Sequence, residues 1–269
     1  MGIANKRGEA LSGFCYGSAS LVGRGGLFKV SKDGEFLLVD INGEAKLPVS
    51  YYIDYFWDGF AAVQKGGSAR PVIGGKWGYV NSRGELVIPC KYDGAEWFCE
   101  GLAKVKKDGR ELFINRNDEV AFYCKFDETR DFCRGLAAAR EGEKWGFIDK
   151  SGNFAIEPRF NEVNHFKEDR AVVRVGELWG VIDKSGKFIL EPQKFDYIFD
   201  EFYGGMLNFS VNGKSGCLDV DGKVAIEPKF DDVYVFEGDA TAASVDYKHV
   251  FIDKKGRILP ISYYFEIED

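Results

Sequence analysis

Carboxylates are the residues of this chain that could most readily do chemistry, and three of them recur at one place in its pattern. Glu157, Glu191 and Glu227 each directly precede a proline. A glycosidase needs two carboxyl groups held a few ångströms apart around a glycosidic bond, so one interpretation is an enzyme with an acid pair. The simpler interpretation is a ladder of opposite charges between neighbouring units, because basic residues follow this proline column along the chain, namely Lys91, Lys125, Arg159, Lys194 and Lys229.

Other catalytic signatures are absent from the sequence. It has no nucleophile elbow of the GxSxG type, no phosphate-binding loop and no HExxH zinc motif. Gly23 to Gly26 is glycine-rich, but it lacks the lysine and the helix that a phosphate loop requires. With only His165 and His249 available, a histidine-based metal cluster or triad is disfavoured, and His249 is interpreted as a structural residue. The sequence therefore predicts a protein that is not an enzyme, with no catalytic residue, metal ligand or cofactor site.

The six cysteines are expected to be reduced thiols. Cys90 and Cys124 are 34 residues apart, and so are Cys99 and Cys133, without any CxxC motif nearby. Free cysteine usually behaves as a small buried hydrophobic residue, which is the preferred interpretation here. A metal site or two disulfides between repeats are the alternatives.

Composition indicates which kind of protein this is and which partners are disfavoured. The 269 residues carry a formal net charge of -7, and 45% of them are hydrophobic, which is typical of a folded soluble domain. A negative charge disfavours a nucleic-acid or anionic-membrane partner. Residues 1–11 lack the apolar run of a signal peptide, so we expect a cytoplasmic protein with a protein partner of unidentified type.

An internal repeat organises nearly the whole chain. The dipeptide Trp-Gly occurs at Trp77, Trp145 and Trp179, at separations of 68 and 34 residues. Equivalent units without the tryptophan begin at Phe36, Glu111, Ser215 and His249. A fixed period of this size is typical of a repeat architecture, in which most repeated residues build the scaffold.

The other columns of the repeat predict strands and tight turns. An Asp or Asn follows each signature position by four residues: Asp40, Asn81, Asn115, Asp149, Asp183, Asp219 and Asp253. A glycine follows this residue by three positions in every unit but one. Such a spacing between apolar runs is typical of a hairpin turn rather than of a calcium ladder. Prolines and then aromatic rings follow the next short run, and six of the seven prolines occupy this column. The unit is therefore β, with three or four strands of about five residues each.

Two successive copies, KWGYVNSRGELVIPCKYDGAEWFCEGLAKV and KWGFIDKSGNFAIEPRFNEVNHFKEDRAVVRV, resemble the bacterial WG-repeat family. The resemblance extends from residue 26 to about residue 263. It implies an all-β repeat domain without a common activity, and it brings no catalytic residues to this chain.

The ends of the repeat suggest a closed ring. The last unit stops half-way, and residues 26–34 align with residues 101–109, so residues 23–35 are predicted to complete the last unit. We therefore expect a single domain over residues 23–269, preceded by an extension or cap in residues 1–22. The favoured fold is a seven-bladed β-propeller with a split terminal blade, and the alternative is an open, solenoid-like stack.

One insertion interrupts the repeat, at residues 64–76, and insertions in repeat proteins often carry contacts. Its basic residues Lys65, Arg70 and Lys76 are the predicted contacts for an acidic group of a partner. The leading functional prediction is a non-enzymatic protein-interaction scaffold. The alternatives are a carbohydrate-active or hydrolytic propeller enzyme and a toxin-neutralising, immunity-type protein.

Overall fold

The chain folds into antiparallel β-sheets, as the repeat predicts. The computed structural model describes residues 18–21, 26–32, 35–47, 51–65 and 74–260. Its regular elements are 27 strands, and these residues contain no helix that is long and apolar enough to span a bilayer. Two compact units divide the chain: residues 1–125 with 150–152, and residues 126–149 with 153–269.

The first unit holds three four-stranded sheets, in which each strand pairs with the next along the chain. The first sheet comprises β1 (Ser18–Leu21), β2 (Phe28–Lys32), β3 (Glu35–Val39) and β4 (Ala45–Leu47). The second comprises β5 (Tyr51–Ile53), β6 (Phe60–Lys65), β7 (Lys76–Asn81) and β8 (Leu86–Tyr92). The third comprises β9 (Gly94–Cys99), β10 (Leu102–Lys107), β11 (Arg110–Asn115) and β12 (Val120–Tyr123).

The second unit holds four further sheets of the same topology. The fourth sheet comprises β13 (Glu128–Cys133), β14 (Leu136–Glu141), β15 (Lys144–Ile148) and β16 (Phe154–Phe160). The fifth comprises β17 (Glu162–Val163), β18 (Arg170–Val175), β19 (Leu178–Asp183) and β20 (Phe188–Gln193). The sixth comprises β21 (Tyr197–Ile198), β22 (Met206–Val211), β23 (Lys214–Asp219) and β24 (Val224–Phe230). The seventh comprises β25 (Asp232–Val233), β26 (Ala240–Val245) and β27 (Lys248–Asp253), with an isolated bridge between Ile252 and Ile258.

The N-terminal strands form the first sheet. β2 pairs with β1 along one edge and with β3 along the other. β10, whose residues the repeat aligns with β2, pairs in the same way with β9 and β11. That residues 23–35 complete the last unit, and that residues 1–22 form an extension or cap, stay predictions.

The hydrophobic core lies between successive sheets of each unit. In the first unit, Tyr79, Ile88 and Phe98 from the second and third sheets pack together and are almost completely buried. In the second unit, Phe147 and Phe166 pack in the same way, with ring centroids 4.7 Å apart. Burying rings of this size on both sides of each sheet is the main apolar contribution to stability.

The predicted hairpin turns are confirmed. The Oδ1 atom of Asp183 accepts the backbone N–H groups of Ser185 at 2.9 Å and Lys187 at 3.1 Å, and Gly186 has a φ of +82°. The same acceptor role occurs in all seven copies: Asp40, Asn81, Asn115, Asp149, Asp183, Asp219 and Asp253. Hydrogen bonding to the Ser185 hydroxyl lowers the pKa of Asp183. These side chains are therefore turn acceptors.

A second Asp or Asn column links neighbouring sheets within a unit. In the second unit, Asp231 pairs with Lys214 of the sixth sheet, 2.6 Å from Nζ to Oδ1. Its other oxygen accepts the N–H of Tyr247, at 3.4 Å, in a turn of the seventh sheet. Asn161 does the same between Lys144 and Gly176, at 3.1 and 2.8 Å. One side chain thus fastens two sheets, and the sequence pattern alone did not indicate this role.

The signature glycine is required by a close backbone approach. A Cβ atom at Gly146 would meet Ile156 O, with Pro158 N only 2.8 Å away, because the proline-bearing bulge of β16 crosses over this residue. Gly78 and Gly216 lie equally close to the backbone of β8 and β24. The preceding Trp145 is only 7% exposed, and the Arg130 guanidinium lies 4.4 Å from its ring centroid. The Trp-Gly pair is therefore a packing device, as the sequence indicated.

Adding a methyl group to the signature glycine should destabilise the protein. We expect Gly146→Ala to lower the free energy of unfolding by about 1–3 kcal/mol, because the backbone of β16 must move. Gly238→Ala is the matched control, since its added Cβ meets no atom within 4 Å, and its effect should stay within about 0.5 kcal/mol. Urea unfolding measures both, and equal stability of the two variants would contradict the close approach.

Acid should weaken the link that Asp231 makes. The hydrogen bond from Lys214, and then that from the turn N–H, hold the pKa of Asp231 below its usual value. A carboxyl group with a lowered folded-state pKa stabilises the fold above its unfolded pKa, about 3.9, and this stabilisation disappears as the pH falls through the folded value. The urea midpoint should therefore drop between about pH 5 and pH 2.

Asp231→Asn isolates this contribution, because Asn161 shows that an amide fits the same column. The variant should lose part of the pH dependence, whereas Asp221→Asn should retain it, since that carboxylate only reaches Lys223 at 3.8 Å. An unchanged pH profile in the Asp231 variant would be evidence against the link.

Candidate interaction surface

Two tryptophans outside the repeat column lie together on the first unit. Trp57 precedes β6 and Trp97 belongs to β9, so they come from neighbouring sheets. Their ring centroids are 6.0 Å apart and their planes are inclined by 29°, which is a stacked arrangement. Trp57 is 57% exposed and Trp97 is 47% exposed. Exposed apolar residues that lie together can mark a binding site, and tryptophan is enriched at protein interfaces.

A tight turn holds Trp57 in place. Its N–H donates to Phe60 O at 2.8 Å, and the Phe60 N–H donates back at 3.0 Å. The two residues between them have positive φ values, +50° at Asp58 and +81° at Gly59. This two-residue turn matches the twist of the flanking strands, so the backbone that carries Trp57 is rigid.

Asp54 orients the second tryptophan. Its Oδ2 accepts the indole N–H of Trp97 at 3.0 Å, and its Oδ1 accepts the backbone N–H of Tyr55 at 2.8 Å. Within the described residues, Asp54 forms no ion pair. We call Asp54, Trp57 and Trp97 the tryptophan surface. It combines two indole faces with one carboxylate, and Tyr55, 73% exposed, belongs to the same segment.

Buried rings support the surface from below. Phe98, the neighbour of Trp97, is fully buried and lies 4.8 Å from Phe60 and 4.7 Å from Tyr79 between ring centroids. The Tyr79 hydroxyl donates to Glu96 O at 2.6 Å, and burial raises the pKa of that phenol. β9 is therefore fixed to the core on one side while it presents Trp97 on the other.

Turn contacts connect the two sheets beside the tryptophans. Asp58 accepts the N–H of Gly101 at 2.9 Å and forms an ion pair with Arg116. Lys150 contacts Glu100, with its Nζ 2.8 Å from the carbonyl oxygen. Acids and bases around the surface are thus largely paired with one another, which leaves Asp54 as the carboxylate next to the indoles.

Equivalent positions in the other sheets do not repeat this pair. From the third to the sixth sheet, the residues that correspond to Trp57 are Cys99, Cys133, Lys167 and Tyr203. The residues that correspond to Trp97 are Tyr55 in the second sheet, then Asp131, His165 and Glu201 in the fourth to sixth sheets. In the second unit, the Lys167 ammonium lies 3.2 Å from the Tyr203 ring centroid and 2.8 Å from Glu201. Hairpins of the fifth and sixth sheets therefore also contact each other, but the stacked indoles are particular to the second and third sheets.

Two of the predicted contact residues of the insertion, Lys65 and Lys76, pair at the end of β6 and β7 that lies opposite to Phe60. Lys65 ends β6 and Lys76 begins β7, where its ammonium forms an ion pair with Asp93. Arg70 lies outside the described residues. Gln64, beside Lys65, is 4% exposed, and its Oε1 has no hydrogen-bond partner among the residues described. The contact role of Lys65, Arg70 and Lys76 stays a prediction.

The candidate acids and bases of the proline column lie apart. Glu157, Glu191 and Glu227 are exposed, and Lys91 pairs with Asp118 in place of a glutamate. Arg159 donates to Gly186 O. In these two copies the basic side chain therefore reaches the turn of the following sheet, and in neither does it pair with a glutamate of the proline column.

The described cysteines form no disulfide with one another: Cys90, Cys99, Cys124, Cys133 and Cys217. The thiols of Cys90 and Cys133 donate to the carbonyl oxygens of Val63 and Phe166, and burial raises the pKa of Cys217 to about 12. His249 is exposed in β27, opposite Ser244. In the part of the chain that is described, no three His, Cys, Asp or Glu residues converge in a way that could hold a metal ion.

The sequence did carry a signal for the tryptophan surface. It contains five tryptophans, and the repeat column accounts for only three of them. Trp57 and Trp97 are the two that the repeat leaves unexplained. Their proximity could not be read from the sequence, because it depends on how the second and third sheets pack.

Comparison with solved structures shows a likeness of fold. A crystal structure described as the eukaryotic initiation factor has a TM-score of 0.51 and 14% identity, covering 96% of this chain and 80% of that one. Hsv2 of Kluyveromyces lactis has a TM-score of 0.39 and 10% identity, covering 88% and 91%. AztD of Citrobacter koseri has a TM-score of 0.32 and 12% identity, covering 90% and 70%. Identities this low carry no information about activity.

Comparison in sequence identifies the repeat itself. Curated proteins give no match to this chain. The WG containing repeat, in contrast, matches five consecutive segments that together cover more than half of the chain: residues 77–110, 113–145, 145–179, 179–214 and 216–248. Its columns are those that build the turns, the close glycine approach and the buried rings. The chain therefore belongs to the WG containing repeat family.

Proposed function

We propose that this repeat scaffold is a non-enzymatic protein-interaction module that binds its partner through the tryptophan surface. The observation that carries the proposal is the stacked, half-exposed pair of Trp57 and Trp97. Tryptophan is among the residues that most often dominate binding energy at protein interfaces.

Rigidity supports this role. The turn at Asp58 and Gly59, the bond from Trp97 to Asp54 and the buried Phe98 fix both indoles before any partner arrives. Binding then costs little additional ordering of the surface, so more of the contact energy appears as affinity.

The charge of the surface indicates the chemistry of the partner. Asp54 places a carboxylate beside two indole faces on a chain of net charge -7. An arginine side chain of the partner fits both groups, since a guanidinium stacks on an indole face and pairs with a carboxylate. The partner is therefore expected to present a basic segment with an arginine.

Removing both indoles should abolish partner binding without unfolding the protein. We expect the double variant Trp57→Ala, Trp97→Ala to retain less than about a tenth of the partner that the parent protein captures from a lysate of its host. The melting temperature should change little, because both rings are half exposed. Tyr247→Ala is the matched control, since it removes a fully exposed ring elsewhere. Equal capture by the double variant and the parent would refute the role of this surface.

We also propose that the sheets are the blades of a closed β-propeller. This is supported by four-stranded sheets that follow one another in chain order, each packed on the next within its unit. Closure would remove the free apolar faces that an open stack leaves at both ends.

Small-angle scattering distinguishes the ring from the open stack. A compact chain of 269 residues has a radius of gyration of about 18 Å. Sheets stacked about 10 Å apart in a rod would separate the first and the seventh by about 60 Å and give a clearly larger value. Extrapolation to zero protein concentration keeps association out of the measurement. A radius well above about 18 Å would contradict the ring.

A further inference from the structure

A cross-strand row of an acid, an arginine and a tryptophan occurs in two sheets of the second unit. In the fifth sheet, Glu162 lies opposite Arg174, which lies opposite Trp179. The Nε atom of Arg174 is 3.0 Å from Oε2 of Glu162, and its Cζ atom is 5.7 Å from the Trp179 ring centroid. The fourth sheet has the same row with similar distances: Glu128, Arg140 and Trp145. A guanidinium suits this place because it pairs with a carboxylate and also stacks on an aromatic ring.

The seventh sheet keeps the acid of this row but has no arginine in it. Asp232 lies opposite Ser244, and Ser244 lies opposite His249. The serine side chain is much shorter than an arginine, so it does not extend into the space between the Asp232 carboxylate and the His249 ring. Asp232 and His249 are exposed, and Ser244 is partly exposed. A guanidinium from outside the chain can therefore reach the place that the Arg174 side chain fills in the fifth sheet.

The Asp232 carboxylate is oriented by the backbone but has no counter-charge. Its Oδ1 atom accepts the N–H of Val233 at 2.9 Å. Among the residues that the structure describes, no lysine or arginine forms an ion pair with Asp232. The two glutamates at the equivalent positions, Glu128 and Glu162, each pair with the arginine of their own row. A cation from another molecule would therefore restore at Asp232 the pairing that these two rows already show.

The sixth sheet places an aromatic ring beside Asp232. Asn208 connects the first strands of the two sheets, because its carbonyl oxygen accepts the Phe199 N–H at 2.8 Å and its side-chain amide donates to Val233 O. The ring of Tyr197 lies 6.1 Å from that of Phe199, between centroids, and Tyr197 is 56% exposed. Burial and the charges of nearby carboxylates, Asp232 among them, raise the pKa of Tyr197. Asp232 therefore has an accessible ring next to it as well as the His249 ring of its own row.

We propose that Asp232, with the rings of Tyr197 and His249, binds an arginine side chain of a protein partner. The guanidinium lies over Ser244, donates to the Asp232 carboxylate and places its face against a ring. A lysine fits less well, because a compact ammonium cannot combine a two-pronged hydrogen bond with stacking. An exposed ion pair and a ring contact each contribute little, so one arginine alone binds weakly, with a dissociation constant of about 1–50 mM. This inference does not rest on the tryptophan surface.

Proton NMR of the full-length protein, titrated with N-acetyl-arginine amide, tests the proposal. The chain has only two histidines, His165 and His249, so the His249 ring signal is identified by its loss in His249→Gln. At about pH 8 and constant ionic strength, this signal should shift in a saturable way, with half-saturation at about 1–50 mM, while the His165 signal stays in place. N-acetyl-citrulline amide has nearly the same shape without the charge, and it should bind at least about threefold more weakly.

Two variants with matched controls keep the test decisive. Asp232→Asn should raise the half-saturation concentration at least about threefold, whereas Asp221→Asn, at an exposed carboxylate that only reaches Lys223 at 3.8 Å, should leave it unchanged. Ser244→Arg supplies the arginine from the chain itself, as the fourth and fifth sheets do, and should remove the shift. Ser244→Ala keeps the space and should bind like the parent. A His249 signal that does not move up to about 100 mM, an equal response to the citrulline compound, or an unaltered response in Asp232→Asn and Ser244→Arg would overturn the proposal.

Discussion

The structure depends on hydrogen bonds from hairpin N–H groups to the side chains of Asp and Asn. Short strands joined by tight turns leave many backbone donors at the ends of sheets, and each unpaired donor costs free energy. One Asx column closes the turn between the third and fourth strands, as Asp183 does for Ser185 and Lys187. The second column, represented by Asp231 and Asn161, closes a turn of the following sheet and holds a lysine of the preceding one. Local turn formation and the joining of sheets therefore use the same chemistry.

The sequence predicted the parts of the fold that repeat. The Asp-x-x-Gly spacing indicated the turns, and the proline and ring columns indicated short strands, because these features reflect local backbone preferences. The pairing of β2 with β1 was not predicted, since the alignment of residues 26–34 with 101–109 identifies a strand and leaves its neighbour open. The partner of Arg159, Gly186 O in place of a glutamate, was not predicted for a related reason. A column of charges shows that residues are equivalent, but their partners depend on the offset between sheets.

The tryptophan surface lies where the repeat is broken. Trp57 and Trp97 are tryptophans at positions that hold other residue types elsewhere. A residue of a repeat column is constrained by packing in each copy. A residue that differs from its column is not constrained in this way and can take part in binding. The tryptophan surface could not be located from the sequence, because stacking of the indoles depends on the contact between the second and third sheets.

The central claim is that repeat columns maintain the scaffold while departures from the repeat bind partners. An alanine scan that records thermal unfolding and partner capture for each variant tests it most directly. Substitution of column residues such as Phe98, Trp145 and Asp231 should lower the melting temperature, and capture should fall only as far as folding does. Variants at Trp57 and Trp97 should lose capture while the melting temperature stays near that of the parent. The claim would be contradicted if the Trp57 and Trp97 variants lost stability as severely as the column variants, or if they kept full capture.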